Sequence, residues 1–513
     1  MTTGAWTASG EPDAVAVEPV GGASRLRRNL AALAGGQAIT WTMSLAWTIV
    51  VPRALGPTNM GILVSALAVT GVLSVALGLG TRNYLVRELV VDPARGARLL
   101  GTGIALRLLL SPLFVAATLV YARLAHYEGT ALVVLYLAAA GVLLILIAEP
   151  MQAGFQAIER MQYIAYTEVA NKSSQGLVGI ALVVAGLGVV SIAAGSAAIA
   201  AVLCVANVYW LSKYVRVELR TTVAEIVDMV RESVAYWAFG LFFMVYLWID
   251  AVMLSLLTRP EVVAWYGVPT KLFQTLMFLP VLVSTAWLPR LVAAFGRGPD
   301  ELRRTARAPL ELVLVLALPI CAGTAILAAP AIDLLYGSAY REAAPVLVVL
   351  GFCVPLMYVN VILNQVLVAA KRQVWWTWVM AGATVVNPCL NFALIRATES
   401  RYDNGAIGAA ASLLVTEILI VAVGLAMVGR SLFDRRLVKR CGLCAVASAA
   451  MWGVAYAAAP LGTIAALTAG VATFLGLAAA FGVVSAEELA AARAAAARLF
   501  RRSRAETAGG VSS

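Results

Sequence analysis

Histidine is nearly missing from this chain, one residue in 513, and lysine is scarce, five residues against 33 arginines. Charged residues of every kind make up 13%, about half the ~25% of a soluble domain. The motifs of soluble catalysis are also absent. There is no phosphate loop of the form G-x-x-x-x-G-K-[ST], no G-x-S-x-G and no H-E-x-x-H. The one histidine, His126, lies in a turn with Tyr127 and Glu128 and reads as a solvated residue. Six cysteines are present, but Cys441-x-x-Cys444 lacks the second ligand pair that a zinc site needs, so they read as packing residues. Residues 1–24 lack the basic start and short apolar core of a signal peptide and read as a disordered tail. No enzymatic activity and no cofactor are therefore expected. Without ATP machinery, transport would draw on the substrate's own gradient, the membrane potential or a coupling ion, H+ or Na+.

What is abundant is apolar. The content is 62%, the mean hydropathy is +0.88 and runs of about twenty apolar residues recur. This is the pattern of an all-α polytopic membrane protein. A transmembrane barrel would instead alternate apolar and polar residues in short segments. Fourteen spans are expected, at about 29–52, 61–81, 100–122, 130–150, 165–187, 190–211, 232–257, 262–288, 309–333, 343–370, 375–396, 406–428, 441–459 and 462–484. Two of the splits rest on Gly186-Leu187-Gly188 and Pro460-Leu461-Gly462, since Gly and Pro are the strongest turn markers.

The net charge of +11 would suit nucleic acid, but its distribution does not. With the amino terminus inside, 29 Lys and Arg residues fall in inner segments and six in outer turns. That asymmetry places both termini in the cytoplasm. The tail over 485–513 is basic and amphipathic, as a surface helix would be. Outer turns reach only about ten residues, too short for the external catalytic loop of a membrane glycosyltransferase.

Residues Arg231 to Arg290 form the most informative stretch. One span carries Asp250, the turn is Thr258-Arg259-Pro260-Glu261, and the next span carries Lys271. Asp250 lies eight residues before Thr258 and Lys271 nine after Val262. At ~1.5 Å per residue, both sit about 12–14 Å below the outer surface. An ionised group at that depth costs at least ~2.5–3.5 kcal/mol, so it should face a partner or water. An opposite-charge pair lining a transport cavity is expected.

Arg107 and Lys172 lie within spans at the opposite depth, near Glu149, Glu168 and Asn171, and Glu417 sits in mid-span. Some of these groups can pair structurally, Glu168 with Lys172 for instance. Asn364-Gln365, Asn387 and Asn391 add uncharged polarity. Cations inside spans suit an anionic ligand such as a phosphate. Most aromatics read as interfacial belt residues, and Tyr266, near the outer turn, could stack on a sugar. A weak repeat is also visible. Leu55-Gly56-Pro57 with Met60-Gly61, between spans 1 and 2, resembles Pro260 with Tyr266-Gly267, between spans 7 and 8. Such repeats usually place the substrate between two lobes near the midplane.

Several motifs, taken in order, resemble the Wzx-type polysaccharide flippases of the multidrug/oligosaccharidyl-lipid/polysaccharide exporter superfamily. They are Arg28-Asn29, Leu55-Gly56-Pro57 with Gly61, Gly78-Leu79-Gly80, Arg87-Glu88, Asp250, Tyr266 with Lys271, and Leu288-Pro289-Arg290. The resemblance covers about residues 25–484. It implies two six-helix lobes around a central cavity, 25–231 and 232–440, with two further helices over 441–484, working by alternating access. It implies an undecaprenyl-pyrophosphate-linked glycan as cargo, carried from the inner to the outer leaflet of a bacterial cytoplasmic membrane. The protein would be a monomer that meets polysaccharide polymerase or assembly partners. Cargo contacts would come from Arg107, Lys172, Asp250, Tyr266, Lys271 and Glu417, and from Gln37, which stands in the first span where lipid II flippases have a cation-rich first lobe. An ion-coupled drug exporter of the same superfamily would instead rely on Asp250 and Glu417.

Overall fold

The computed structural model describes residues 23–215, 217–429 and 432–483, with side chains from residue 42 onward except those of Ala235, Phe239 and Phe243. The tails expected over 1–24 and 485–513 lie outside this range apart from residues 23 and 24, as does the side chain of Gln37. Among the described residues the chain is helical and has no strand.

The helices are α1 (Ala23–Gly78), α2 (Thr81–Val91), α3 (Gly96–Leu124), α4 (Gly129–Ala157), α5 (Met161–Val184), α6 (Val189–Ser212), α7 (Val223–Leu257) and α8 (Pro260–Leu276). They continue as α9 (Phe278–Phe295), α10 (Pro299–Tyr336), α11 (Ala344–Ala369), α12 (Gln373–Tyr402), α13 (Gly405–Val428), α14 (Arg435–Ala458) and α15 (Thr463–Ala480). Twelve segments among the described residues are long and apolar enough to cross a membrane. This is a multi-pass membrane protein. The fourteen expected spans map onto this set with two differences. The segment Thr42–Val91 holds two spans in one run, and α5, which carries Glu168 and Lys172, is not apolar enough to be counted.

The helix breaks have local causes. Inside α1, Gly56 leaves helical geometry with φ 74° and ψ 168°. Next to this break the Pro52 carbonyl accepts from the Tyr340 hydroxyl at 2.8 Å. The span expected over 262–288 divides at Met277 into α8 and α9. Pro280 has no N–H for the Leu276 carbonyl four residues earlier, and the Tyr358 hydroxyl supplies one at 2.7 Å. Five tight turns end on a left-handed residue, at His126, Glu159, Gly186, Lys371 and Gly482. Each is followed by a bond from the next N–H to the carbonyl five residues back, for example Leu187 to Leu182 at 2.9 Å. His126 thus terminates α3.

The chain forms two compact units. Among the described residues the first comprises 23–272, 332–346 and 377–416; the second comprises 273–331, 347–376 and 417–483. The first unit is centred at its arginine-rich end on Leu85, Leu89, Leu100, Met151, Phe155 and Leu211. At its other end α1 and α8 touch closely: Gly61 lies against the Pro260 carbonyl and Gly267 against Val64. In the second unit α14 and α15 form a hairpin packed on α10 through Cys444, Val315 and Leu318. Arg440 fastens it, bonding Glu311 at 2.8 Å and the Val483 carbonyl at 2.6 Å.

Candidate functional site

The hairpin of α7 and α8 sets the site. Asp250 stands seven residues before the end of α7 and Tyr266 six after the start of α8. Equal rise on two antiparallel helices brings them level. The Tyr266 hydroxyl donates to Asp250 Oδ2 at 2.5 Å. From α12, Asn391 Nδ2 donates to Asp250 Oδ1 at 2.6 Å and also to Asn387 Oδ1 at 2.8 Å. Asn387 in turn donates to Thr416 on α13 at 3.3 Å. Asp250 is 2% exposed, and both asparagines are fully buried. The carboxylate meets only uncharged donors, and Asn391 Oδ1, also buried, has no hydrogen-bond partner. Burying an unpaired carboxylate is costly. This cluster is therefore suited to taking up a proton or a small hard cation, for which carboxylate and amide oxygens are the fitting ligands.

Lys271 does not join it; no ion pair links Lys271 to Asp250. Its amine lies 5.5 Å from the centre of the Trp248 ring. Because α8 starts at Pro260, Lys271 is eleven residues into the helix against seven for Asp250 on α7. The offset of four residues amounts to ~6 Å.

Arg107 is held elsewhere in the same unit. It bonds Glu149 at 2.6 Å, Thr81 Oγ1 at 2.7 Å and the Leu77 carbonyl at 3.2 Å, and is 3% exposed. Leu79 and Gly80, both at positive φ, stop α1 there, so the helix leaves terminal carbonyls in need of donors. Trp237 Nε1 serves the Ala76 carbonyl at 3.0 Å, and Arg107 serves Leu77. Replacing Arg107 by Ala strands Glu149 and uncaps α1, and is expected to lower stability by about 3 kcal/mol. Thermal unfolding in detergent checks this: unchanged melting with lost transport would instead place Arg107 on the cargo.

Lys172 is exposed on α5, as is Glu168, and no ion pair joins them. The neighbouring Gln175 donates to Asn171 at 2.7 Å. Glu417 belongs to the second unit, where it is fully buried on α13 and accepts from Asn360 Nδ2 at 3.0 Å. Gln37 lies on α1, its side chain outside the described set. The structure thus brings together Asp250 and Tyr266 from the expected residues and adds Asn387 and Asn391. The two asparagines are four apart in sequence, which puts them on one helix face, but nothing in the sequence pointed that face at α7.

Residues 26–295 match the family described as polysaccharide biosynthesis protein, and residues 238–393 match the MatE family. Among solved structures the chain is similar to the lipid II flippase MurJ in an inward closed conformation, with a TM-score of 0.71 and 12% identity over 87% of this chain and 98% of that one. It is also similar to an inward-facing multidrug resistance MATE family transporter of the MOP superfamily. There the TM-score is 0.60 and the identity 15%, over 75% of this chain and 94% of that one. At these identities the likeness is one of fold. No curated protein matches the chain in sequence.

Proposed function

We propose, for a chain that belongs to the polysaccharide biosynthesis protein family, that it is a flippase for a lipid-linked oligosaccharide. It moves an undecaprenyl-pyrophosphate-linked glycan from the inner to the outer leaflet of a bacterial cytoplasmic membrane by alternating access, with both termini in the cytoplasm. The arginine asymmetry supports that orientation. One observation carries the cargo reading. Lys172 stands exposed within a polar run of α5, beside Glu168, Asn171 and Gln175. A cation on an exposed face at span depth needs water or an anionic head group, because lipid tails offer neither. Lys172 and Lys271 are the cargo-facing cations in this reading, while Arg107 holds the frame. Asp250, Tyr266, Asn387 and Asn391 bind the coupling ion, H+ or Na+, and polymerase or assembly partners receive the product.

The test is reconstitution. Purified protein in liposomes flips undecaprenyl-pyrophosphate-linked oligosaccharide, and Lys172→Ala and Lys271→Ala each slow it roughly tenfold, the loss of one hydrogen bond to a charged group, with melting unchanged. Wild-type rates in both variants would reject the cationic path. In cells, depletion should leave the lipid-linked glycan accumulating on the cytoplasmic side.

A second reading has its own support. The MatE match spans 238–393 and so contains Asp250, Tyr266, Asn387 and Asn391. An ion-coupled exporter of cationic drugs would use these groups for its counter-ion and would move such drugs in the same liposomes. Lipid II, offered as an alternative cargo in that assay, separates the remaining case.

A further inference from the structure

At the arginine-rich end of the first unit, the turn before α5 and the end of α6 meet in an aromatic cluster that the proposed transport leaves unused. Tyr163 stacks on the buried Phe155 with ring centres 5.0 Å apart. It also meets Trp210 at 5.4 Å and Tyr214 at 5.8 Å. The plate is thus anchored in the core and its geometry is fixed before any ligand arrives. One cation rests on this plate and a second lies at the same end of α6. Arg160 lies 5.2 Å from the Tyr214 ring and Lys213 lies 4.2 Å from the Tyr209 ring. Both are exposed, and neither forms an ion pair. Lys213 and Tyr214 are consecutive, which sets both cation–ring contacts at this end of α6, the corner of the unit. Glu159, also exposed, is the acidic neighbour in sequence and makes no ion pair with either.

Two further features point to what fits there. The hydroxyls of Tyr163 and Tyr214 share one hydrogen bond at 2.7 Å, which uses one of their two protons and leaves the other to donate. Running away from the corner along α6, Val202, Val205, Val208 and Tyr209 are 68%, 68%, 47% and 59% exposed. Their spacing of three and four residues makes one apolar stripe on the helix. Cations, a spare hydroxyl donor and an adjoining apolar track are the complement of a phosphodiester carrying acyl chains.

We propose that this corner, Arg160 and Lys213 over Tyr214 and Tyr209, binds the phosphodiester head group of an anionic glycerophospholipid of the cytoplasmic leaflet, its chain lying along Val202, Val205 and Val208. The leaflet assignment rests on the orientation given above. Head-group binding does not depend on which cargo is flipped. Basic clusters flanking spans attract anionic lipid with about 1 kcal/mol per charge, and cations held over aromatic rings are already positioned.

The test titrates full-length protein in detergent with dioleoylphosphatidylglycerol or dioleoylphosphatidylcholine and counts bound lipids by native mass spectrometry. One phosphatidylglycerol is expected to bind well ahead of phosphatidylcholine. The double variant Arg160→Gln/Lys213→Gln should weaken that step roughly thirty-fold, the product of two such charges. Arg435→Gln/Arg436→Gln, a basic pair elsewhere, should leave it unchanged. Equal binding of the two lipids, or an unaltered first step in the α5–α6 double variant, would overturn the proposal. If the double variant does not fold, Lys213→Gln alone, an exposed change, carries the same comparison with about a fivefold effect. Flipping is not measured, so a failed cargo assignment cannot be mistaken for a failed lipid site.

Discussion

Asp250→Asn is expected to leave the protein folded and nearly abolish ion-coupled transport, with a fall of about a hundredfold. The near-isosteric amide keeps an oxygen for the Tyr266 hydroxyl. On the other side two amide groups would face each other, and Asn391 can turn by 180° so that its oxygen, unpartnered in the native arrangement, accepts the new N–H. Both bonds to residue 250 survive, the neutral Asn391–Asn387 bond is given up in the turn, and the charge is gone. A hydrogen bond to a charged group contributes ~1.5–3 kcal/mol, roughly twice an uncharged one, so melting should shift little. What is removed is the capacity to hold a proton or cation, on which coupling depends. Tyr266→Phe is a useful companion. It deletes one 2.5 Å bond to the same carboxylate and should alter the apparent affinity for the coupling ion without removing transport. Flipping rates measured against Na+ concentration and pH decide the matter; a rate within twofold of wild type in Asp250→Asn would discard the coupling role.

The second large effect falls on Gly61. A methyl group there would sit 1.7 Å from the Pro260 carbonyl oxygen and 2.4 Å from its carbon. Both are backbone atoms at the start of α8, so no rotamer relieves the clash and the two helices must separate. Gly61→Ala is expected to cost about 3 kcal/mol, the upper range for overpacking, and to sever the adjacent bond from Thr58 to Glu261 at 2.5 Å. Little monodisperse protein should be recovered. Gly56→Ala, five residues earlier, is the contrast. Its surroundings are open, and the only penalty is its backbone, which is confined to a region that glycine alone enters freely, worth roughly 1–3 kcal/mol. That variant should fold and melt at a lower temperature. Full recovery of Gly61→Ala with native melting would mean that α1 and α8 are not in backbone contact.

These two sites show how far the one-dimensional pattern reached. The matching Gly and Pro motifs near residues 56–61 and 260–267 suggested a repeat, but not that the copies would meet, Gly61 on Pro260 and Gly267 on Val64. The paired depth of Asp250 with the following helix was legible from the hairpin. Its partner was not, because a shift of two residues in where α8 begins moves Lys271 out of reach and leaves Tyr266 level with the carboxylate.

Hydropathy and turn chemistry are local properties. The sequence by itself therefore determined the helical membrane class, the breaks at Gly56 and Gly186, and the residues carrying charge into the apolar runs. Which of those charges are neutralised by a neighbour depends on helices far apart in the chain. Only the tertiary structure assigned Arg107 to Glu149 and to the end of α1, set Asn391 on Asp250 across 141 positions, and left Lys172 exposed. Depth along a helix can be counted from the sequence, but the direction a side chain faces is fixed by what packs against it.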